Sequence, residues 1–237
     1  SNRVWDDMTA IAAYGFNLCH ATAYSIISYQ CAWLYNYFPS EWVASFLDKE
    51  PEKRKEKAIM LAKKSGFEIR KLDVNTSGRV WEISKDGKTL IQPLTSIKGL
   101  GESAIEQITK NRPFEKIEDF IFNEGITYSK LNKKALDVLT RSGALNGLVD
   151  ERFSGLKHFW SAVAVDRPRK EKNLLENIEK YRPEGDFDPE QMIQYSVDLT
   201  GVFPMSDVMS DAVRESLDSR LIPPLGEYDR DLGVAWA

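Results

Sequence analysis

The stretch Ile97-Lys98-Gly99-Leu100-Gly101-Glu102-Ser103-Ala104-Ile105 decides how this chain is read. Two glycines one residue apart let a turn take positive φ and bring its backbone close to a ligand. A helix that starts directly after them presents unpaired N–H groups, the anion-binding geometry of helix N-termini. Lys98 would add a cation and Ser103 a hydroxyl donor. Lys98, Gly99, Leu100, Gly101 and Ser103 are therefore candidate phosphate contacts, of the kind that touch backbone and read no base sequence. A Gly-x-Gly turn also serves simply to join two helices.

The surroundings favour the first use. Ile97, Leu100 and Ile105 have the apolar spacing of a helix-hairpin-helix DNA-binding motif, and a related stretch comes later at Leu139-Thr140-Arg141-Ser142-Gly143-Ala144-Leu145, preceded by Lys130-Leu131-Asn132-Lys133-Lys134. Tandem hairpins form one compact unit. Arg141, Ser142 and Gly143 are either a second DNA contact or a structural partner of the first hairpin.

Upstream, Ala10 to Phe46 is rich in Ala, Ile, Tyr and Trp and is broken only at Gly15 and Pro39. The spacing predicts a helix from about Ala21 to Phe38 with Tyr24, Ile27, Cys31, Leu34 and Phe38 on one apolar face. Pro39-Ser40-Glu41 restarts a helix expected to bury Trp42 and Phe46. A basic helix then runs to the Ser65-Gly66 stop. Phe67–Arg70 and Arg79–Ile83 alternate in twos, Asp86-Gly87 is a hairpin-type turn, and Thr89-Leu90-Ile91 is the expected return strand. Downstream, 167–190 holds a short charged helix reaching Lys180 and otherwise reads as an exposed, proline-punctuated linker. A last helix is expected from Pro204 to Leu217, and the final six residues resemble the start of a strand.

The fold class is mainly α with a small β insert. An apolar fraction of 42% with 29% charged residues is ordinary for a globular chain and excludes general disorder. No apolar run approaches the ~18 residues of a membrane span, and there is no signal-peptide layout, so a cytoplasmic protein with no membrane partner is expected. The net charge of −4 is unevenly placed: from Glu151 onward there are 11 basic and 17 acidic residues, against 21 and 19 before it. Phosphate contact is expected in the first part.

Enzyme chemistry finds little support. Cys19 and His20 are sequence neighbours, which point about 100° apart on a helix. Cys19, His20, Cys31 and His158 show no paired metal-ligand spacing. Asp6-Asp7 and Asp186-x-Asp188 are the only close carboxylate pairs considered for magnesium, and both fall in segments that read as caps or linker. No catalytic residue and no metal ligand is assigned.

With these segments in order, the chain resembles the C family of bacterial replicative DNA polymerases. The resemblance rests on Tyr14-Gly-Phe-Asn-Leu-Cys-His-Ala-Thr-Ala-Tyr, Ser28-Tyr-Gln-Cys-Ala-Trp-Leu, Tyr37-Phe-Pro-Ser-Glu-Trp-Val, the Gly99 hairpin, Lys130-Leu-Asn-Lys-Lys, Ser142-Gly-Ala-Leu and Leu199-Thr-Gly-Val-Phe-Pro. It implies that Phe16, Asn17, His20 and Tyr24 face the incoming nucleotide from the fingers, and that the first hairpin holds the backbone of duplex DNA. The family's lysine in the first motif is Leu18 here, as in a divergent, phage-type member.

The same resemblance implies residues 3–66 as the helical end of the fingers, 67–93 as the β insert, 94–166 as tandem helix-hairpin-helix, and 167–190 as linker. It further implies 191–231 as the helical remainder of a clamp-binding region and 232–237 as the start of an oligonucleotide-binding barrel. The palm carboxylates that bind magnesium in this family would precede Arg3, so no cofactor is expected within this chain and no activity from it alone. Primer-template DNA, the remaining polymerase domains and a sliding clamp are the implied partners, with self-association through Trp33, Tyr37 and Trp42 also expected. The clamp peptide would lie within 171–191, where Asn173-Leu174-Leu175 and Gly185-Asp186-Phe187 are weak matches. The rival expectation is a noncatalytic replisome adaptor.

Overall fold

The structure is a computed structural model and describes residues 2–14 and 17–201. Its first part is helical: α1 (Asn2–Tyr14), α2 (Leu18–Tyr37), α3 (Pro39–Lys49) and α4 (Glu52–Lys64). Pro39 occupies the first turn of α3, where its missing N–H breaks no bond. Helix α4 stops at Ser65, with Gly66 at φ +88° carrying the chain out. Helix α2 corrects the sequence reading in two ways. It starts three residues earlier than expected, because the Asn17 side chain accepts the Cys19 amide and caps it. It also buries none of its residues. Ile26, Ile27, Tyr29, Trp33 and Leu34 point in several directions and are all exposed, so periodicity marked what could be buried without supplying a partner. In α3 the buried side chains are Val43, Ala44 and Leu47; Trp42 is half-buried and Phe46 exposed, one step around the helix from the expected face.

Three short strands come next: β1 (Glu68–Arg70), β2 (Glu82–Ile83) and β3 (Thr89–Ile91), in the order β1-β3-β2. β2 and β3 form the expected antiparallel hairpin, with Ile83 opposite Leu90, while β1 pairs parallel to β3. The turn is fixed by Asp86, whose carboxylate accepts the Thr89 hydroxyl at 2.6 Å and the amides of Lys88 and Thr89. Those bonds, the Thr89 hydroxyl foremost, lower the Asp86 pKa to about 2. Arg79–Trp81 does not join the strand. Trp81 instead turns inward, its amide held by Asp48 at 2.9 Å, and packs with Val43, Leu47, Ile59, Ala62 and Leu90 in one core. The insert thus shares its apolar interior with α3 and α4 across the expected boundary at residue 67.

A second, larger core joins α5 (Glu102–Lys110), α6 (Ile117–Ile121), α7 (Lys133–Arg141), α8 (Leu156–Trp160, continuing as a π-helical turn Ser161–Val165), α9 (Glu171–Lys180) and α10 (Pro189–Thr200). Ile105, Ile108, Phe120, Leu136, Leu139, Phe159 and Leu174 are sealed within it. At its rim Arg152 binds both Glu118 and Asp150, which holds the two carboxyls below their usual range. The segment expected to be an exposed linker is corrected here. Leu174 and Ile178 are buried, and Asn177 donates to the carbonyls of Ala162 and Asp166, so α9 is part of the core. Among charged residues at three-and-four spacing, its apolar face was too short to stand out.

Asp186 and Asp188 are caps. Asp186 accepts the Leu156 and Lys157 amides at the start of α8, and Asp188 caps α10. Burial alone would raise the Asp186 pKa; three backbone amides outweigh it and hold the carboxyl below its usual range. His158 is buried, between the Ser154 amide at 3.0 Å and the Ile178 carbonyl at 2.7 Å. The helix expected beyond Pro204 and the closing segment 232–237 lie outside the described residues. Among those described, no helix is long and apolar enough to cross a membrane.

Candidate nucleic-acid interface

The Gly99 hairpin lies at the surface with its apolar residues turned in. Ile97, Leu100, Ala104 and Ile105 are buried, while Lys98, Gly99, Gly101, Glu102 and Ser103 are exposed. Gly99 sits at φ +89°, where a side chain would be strained, and Gly101 is the N-cap of α5. The amides of this bend divide cleanly. Lys98 donates to the Leu199 carbonyl at the end of α10 (2.8 Å), and Leu100 donates to Ile97 (3.2 Å). The amides of Gly99, Gly101, Glu102 and Ser103 have no acceptor among the described residues. The Ser103 hydroxyl is also without a partner there.

Charge around these donors is mixed. Lys98 Nζ lies 3.4 Å from Glu52 Oε1, and Glu102, on the first residue of α5, lies 3.8 Å from Arg79 Nη2. A methyl group on Gly99 would stand 3.4 Å from Lys134 Cε, so the first turn of α7 brings a further cation to the bend. Sequence reading placed Lys134 with the second hairpin and missed this contact; Asn132, the N-cap of α7, was the one signal that Lys134 heads a helix. The arrangement offers a set of unpaired backbone donors on exposed residues backed by two lysines, chemistry suited to a phosphodiester.

The second hairpin is built differently. Gly143 (φ +81°) donates to Thr140, and Ala144 donates to Leu139, which closes α7 in a Schellman motif. Ser142 donates to Val138, so these amides are already bonded. The chain then makes a single 3₁₀ turn, Asn146–Leu148, with no helix N-terminus like that of α5. The Arg141 guanidinium is held by Asp137, which also accepts Trp160 Nε1 at 2.8 Å, and lies over the Tyr195 ring. Arg141, Ser142 and Gly143 line a groove of about 820 Å³ facing α10. This bend therefore lacks the unpaired amides of the first hairpin.

The fingers candidates are at the start of α2. Asn17 is its cap, and His20 and Tyr24 lie one turn apart on the exposed surface, their ring centroids 4.3 Å from each other and their planes tilted by 45°. Leu18 is exposed beside them, and Phe16 lies outside the described residues. Among the described residues no group of three or more His, Cys, Asp or Glu is placed to hold a metal ion.

Comparison with known proteins agrees with this geometry. A helix-hairpin-helix motif family matches residues 66–167, the segment that contains both bends. The chain is 31% identical over 173 residues to the DNA polymerase III alpha subunit of Pseudomonas aeruginosa, a match covering 70% of the chain and 14% of that protein. It is 34% identical over 156 residues to the one from Thermus aquaticus, covering 63% of the chain and 12% of the relative. The chain belongs to the DNA polymerase III alpha subunit family. The counterpart from Chlamydia trachomatis, 28% identical, extends the match to 95% of the chain and 20% of the relative. The chain therefore spans between about one eighth and one fifth of the length of these DNA polymerase III alpha subunits. In the two stretches weighed as clamp peptides, Leu174 is in the core and Leu175 exposed, and the half-buried Phe187 meets Trp160 and Tyr195 at centroid distances of 5.8 and 5.5 Å.

Proposed function

We propose that this chain acts as the DNA-gripping part of a replicative DNA polymerase, binding the backbone of duplex primer-template DNA without regard to sequence. One observation carries the reading: four neighbouring amides, of Gly99, Gly101, Glu102 and Ser103, open to solvent at the head of α5 within the matched helix-hairpin-helix segment. Lys98 and Lys134 add the cations, and Ser103 adds a hydroxyl. DNA-directed DNA synthesis belongs on this reading to the whole cytoplasmic polymerase, whose magnesium-binding carboxylates are assigned to its other segments. Asn17, His20 and Tyr24 would face the incoming nucleotide once the neighbouring domains are in place, and those domains are the natural cover for the exposed apolar residues of α2. A sliding clamp remains the expected further partner.

The test is a fluorescence anisotropy titration of labelled primer-template duplex at about 50 and about 200 mM salt. Binding that weakens steeply with salt and is indifferent to base sequence is the expected result. No detectable binding at the lower salt rejects the proposal.

A further inference from the structure

A second cationic feature lies away from the Gly99 bend, against the end of α6. Arg167 is buried, with 6% of its surface exposed, yet has no carboxylate partner among the described residues. Its Nη1 donates to the Tyr128 carbonyl at 2.6 Å, its guanidinium lies 3.7 Å from the centroid of the Tyr128 ring, and its Nε has no hydrogen-bond acceptor. Arg169 is drawn to the same ring at 5.5 Å and likewise forms no ion pair among the described residues. The nearby Asp166 faces Lys133 and Lys180 instead. Two guanidinium groups thus approach one aromatic ring at the wall of a recess of about 190 Å³, lined also by Phe122 and Asn123.

A buried cation with no counter-charge is costly unless something supplies one. Burial pushes the Arg167 pKa down, and only Tyr128 opposes that. An arginine remains charged even so, since its unperturbed value lies far above neutral pH. Planar guanidinium forks match the oxygens of a phosphoryl group, and Arg is favoured wherever such anions are held.

We infer that this recess, walled by Tyr128, Arg167 and Arg169, is a binding site for a phosphoryl group. Of the two sources of that chemistry, a nucleic-acid strand has the better case. Lys133 reaches the Val165 carbonyl at 3.1 Å, just before Arg167, while the adjacent Lys134 lies against Gly99. The first turn of α7 thereby touches both the hairpin and the segment that leads into Arg167. A free phosphate ion is the other source.

Orthophosphate titrated into the full chain, with thermal unfolding as readout and chloride at matched ionic strength as reference, tests the site without any DNA. It therefore stands whether or not the hairpin grips a duplex. The expected result is a stabilisation that saturates with phosphate and is weakened at least about fivefold in affinity by Arg169→Gln, an exposed position whose replacement leaves the core intact. A shift no larger than that of chloride, a non-saturating rise of the kind excluded salts give, or equal affinity in the variant overturns the proposal. In a parallel duplex titration, a loss of affinity in Arg169→Gln together with a salt slope smaller by about one identifies the strand as the source. An unchanged duplex affinity beside lost orthophosphate binding identifies the free ion.

Discussion

Glu102 allows one backbone amide to be removed from the hairpin with almost no other change. It is the first residue of α5, and its N–H has no acceptor among the described residues. Proline is favoured at that position, where the lost N–H breaks no helical bond. The residue before a proline must be extended, and Gly101 already is, at φ −78° and ψ 143°. Glu102→Pro should therefore fold as Glu102→Gln does. Both variants lose the 3.8 Å contact with Arg79 and both lose the carboxylate, so comparing them isolates the amide. The carboxylate itself repels a phosphate: at ~5 Å in water that repulsion is ~0.8 kcal/mol, so Glu102→Gln should bind duplex DNA roughly fourfold more tightly than the parent. Loss of one hydrogen bond to a charged acceptor costs about 1.5 kcal/mol at an exposed site, so Glu102→Pro should bind about tenfold more weakly than Glu102→Gln. Anisotropy titrations at ~50 mM salt measure both steps, and thermal melts check that the two variants are equally folded. Equal affinity in two equally stable variants would show that the α5 amides do not hold the strand.

Two further outcomes probe the framework. Leu174→Ala should destabilise the chain by ~2.7–5 kcal/mol in denaturant unfolding, because α9 seals the larger core; an unchanged midpoint would mean that the helix is only a tether. Arg152→Gln should lower stability at neutral pH and let Glu118 and Asp150 titrate at higher pH. Their depressed folded-state pKa values stabilise the fold above the unfolded values near pH 4, and that contribution fades as pH falls through the folded ones, so the variant's deficit should shrink toward about pH 3. A deficit that stays constant from pH 7 to 3 in denaturant titrations would contradict the network.

Much of the local structure was legible because it depends on neighbours in the chain. Pro39 and Gly66 bound their helices through backbone geometry alone, and Asp86-Gly87 makes its own turn. The bend at Gly99 was readable for the same reason. Burial was not. The apolar positions of α2 stay in solvent, whereas the sparse apolar positions of α9 end in the core, because burial needs a facing surface that the helix itself does not encode. Trp81 left its expected strand for the same kind of reason, drawn into the space between α3, α4 and β3.

The two hairpins draw the final distinction. Sequence alone marked both bends and gave the first its glycines, since a turn depends on local φ; of the first pair Gly99 is left-handed and Gly101 extended. Which bend keeps open amides was settled by the structure on its far side: a nine-residue helix after Gly101, and a closed Schellman cap with a short 3₁₀ turn after Gly143. Likewise, the approach of Lys134 to Gly99 and of Arg167 and Arg169 to Tyr128 joins residues far apart along the chain. Such gatherings of charge depend on packing over many tens of ångströms of contour, and so only the tertiary structure could decide them.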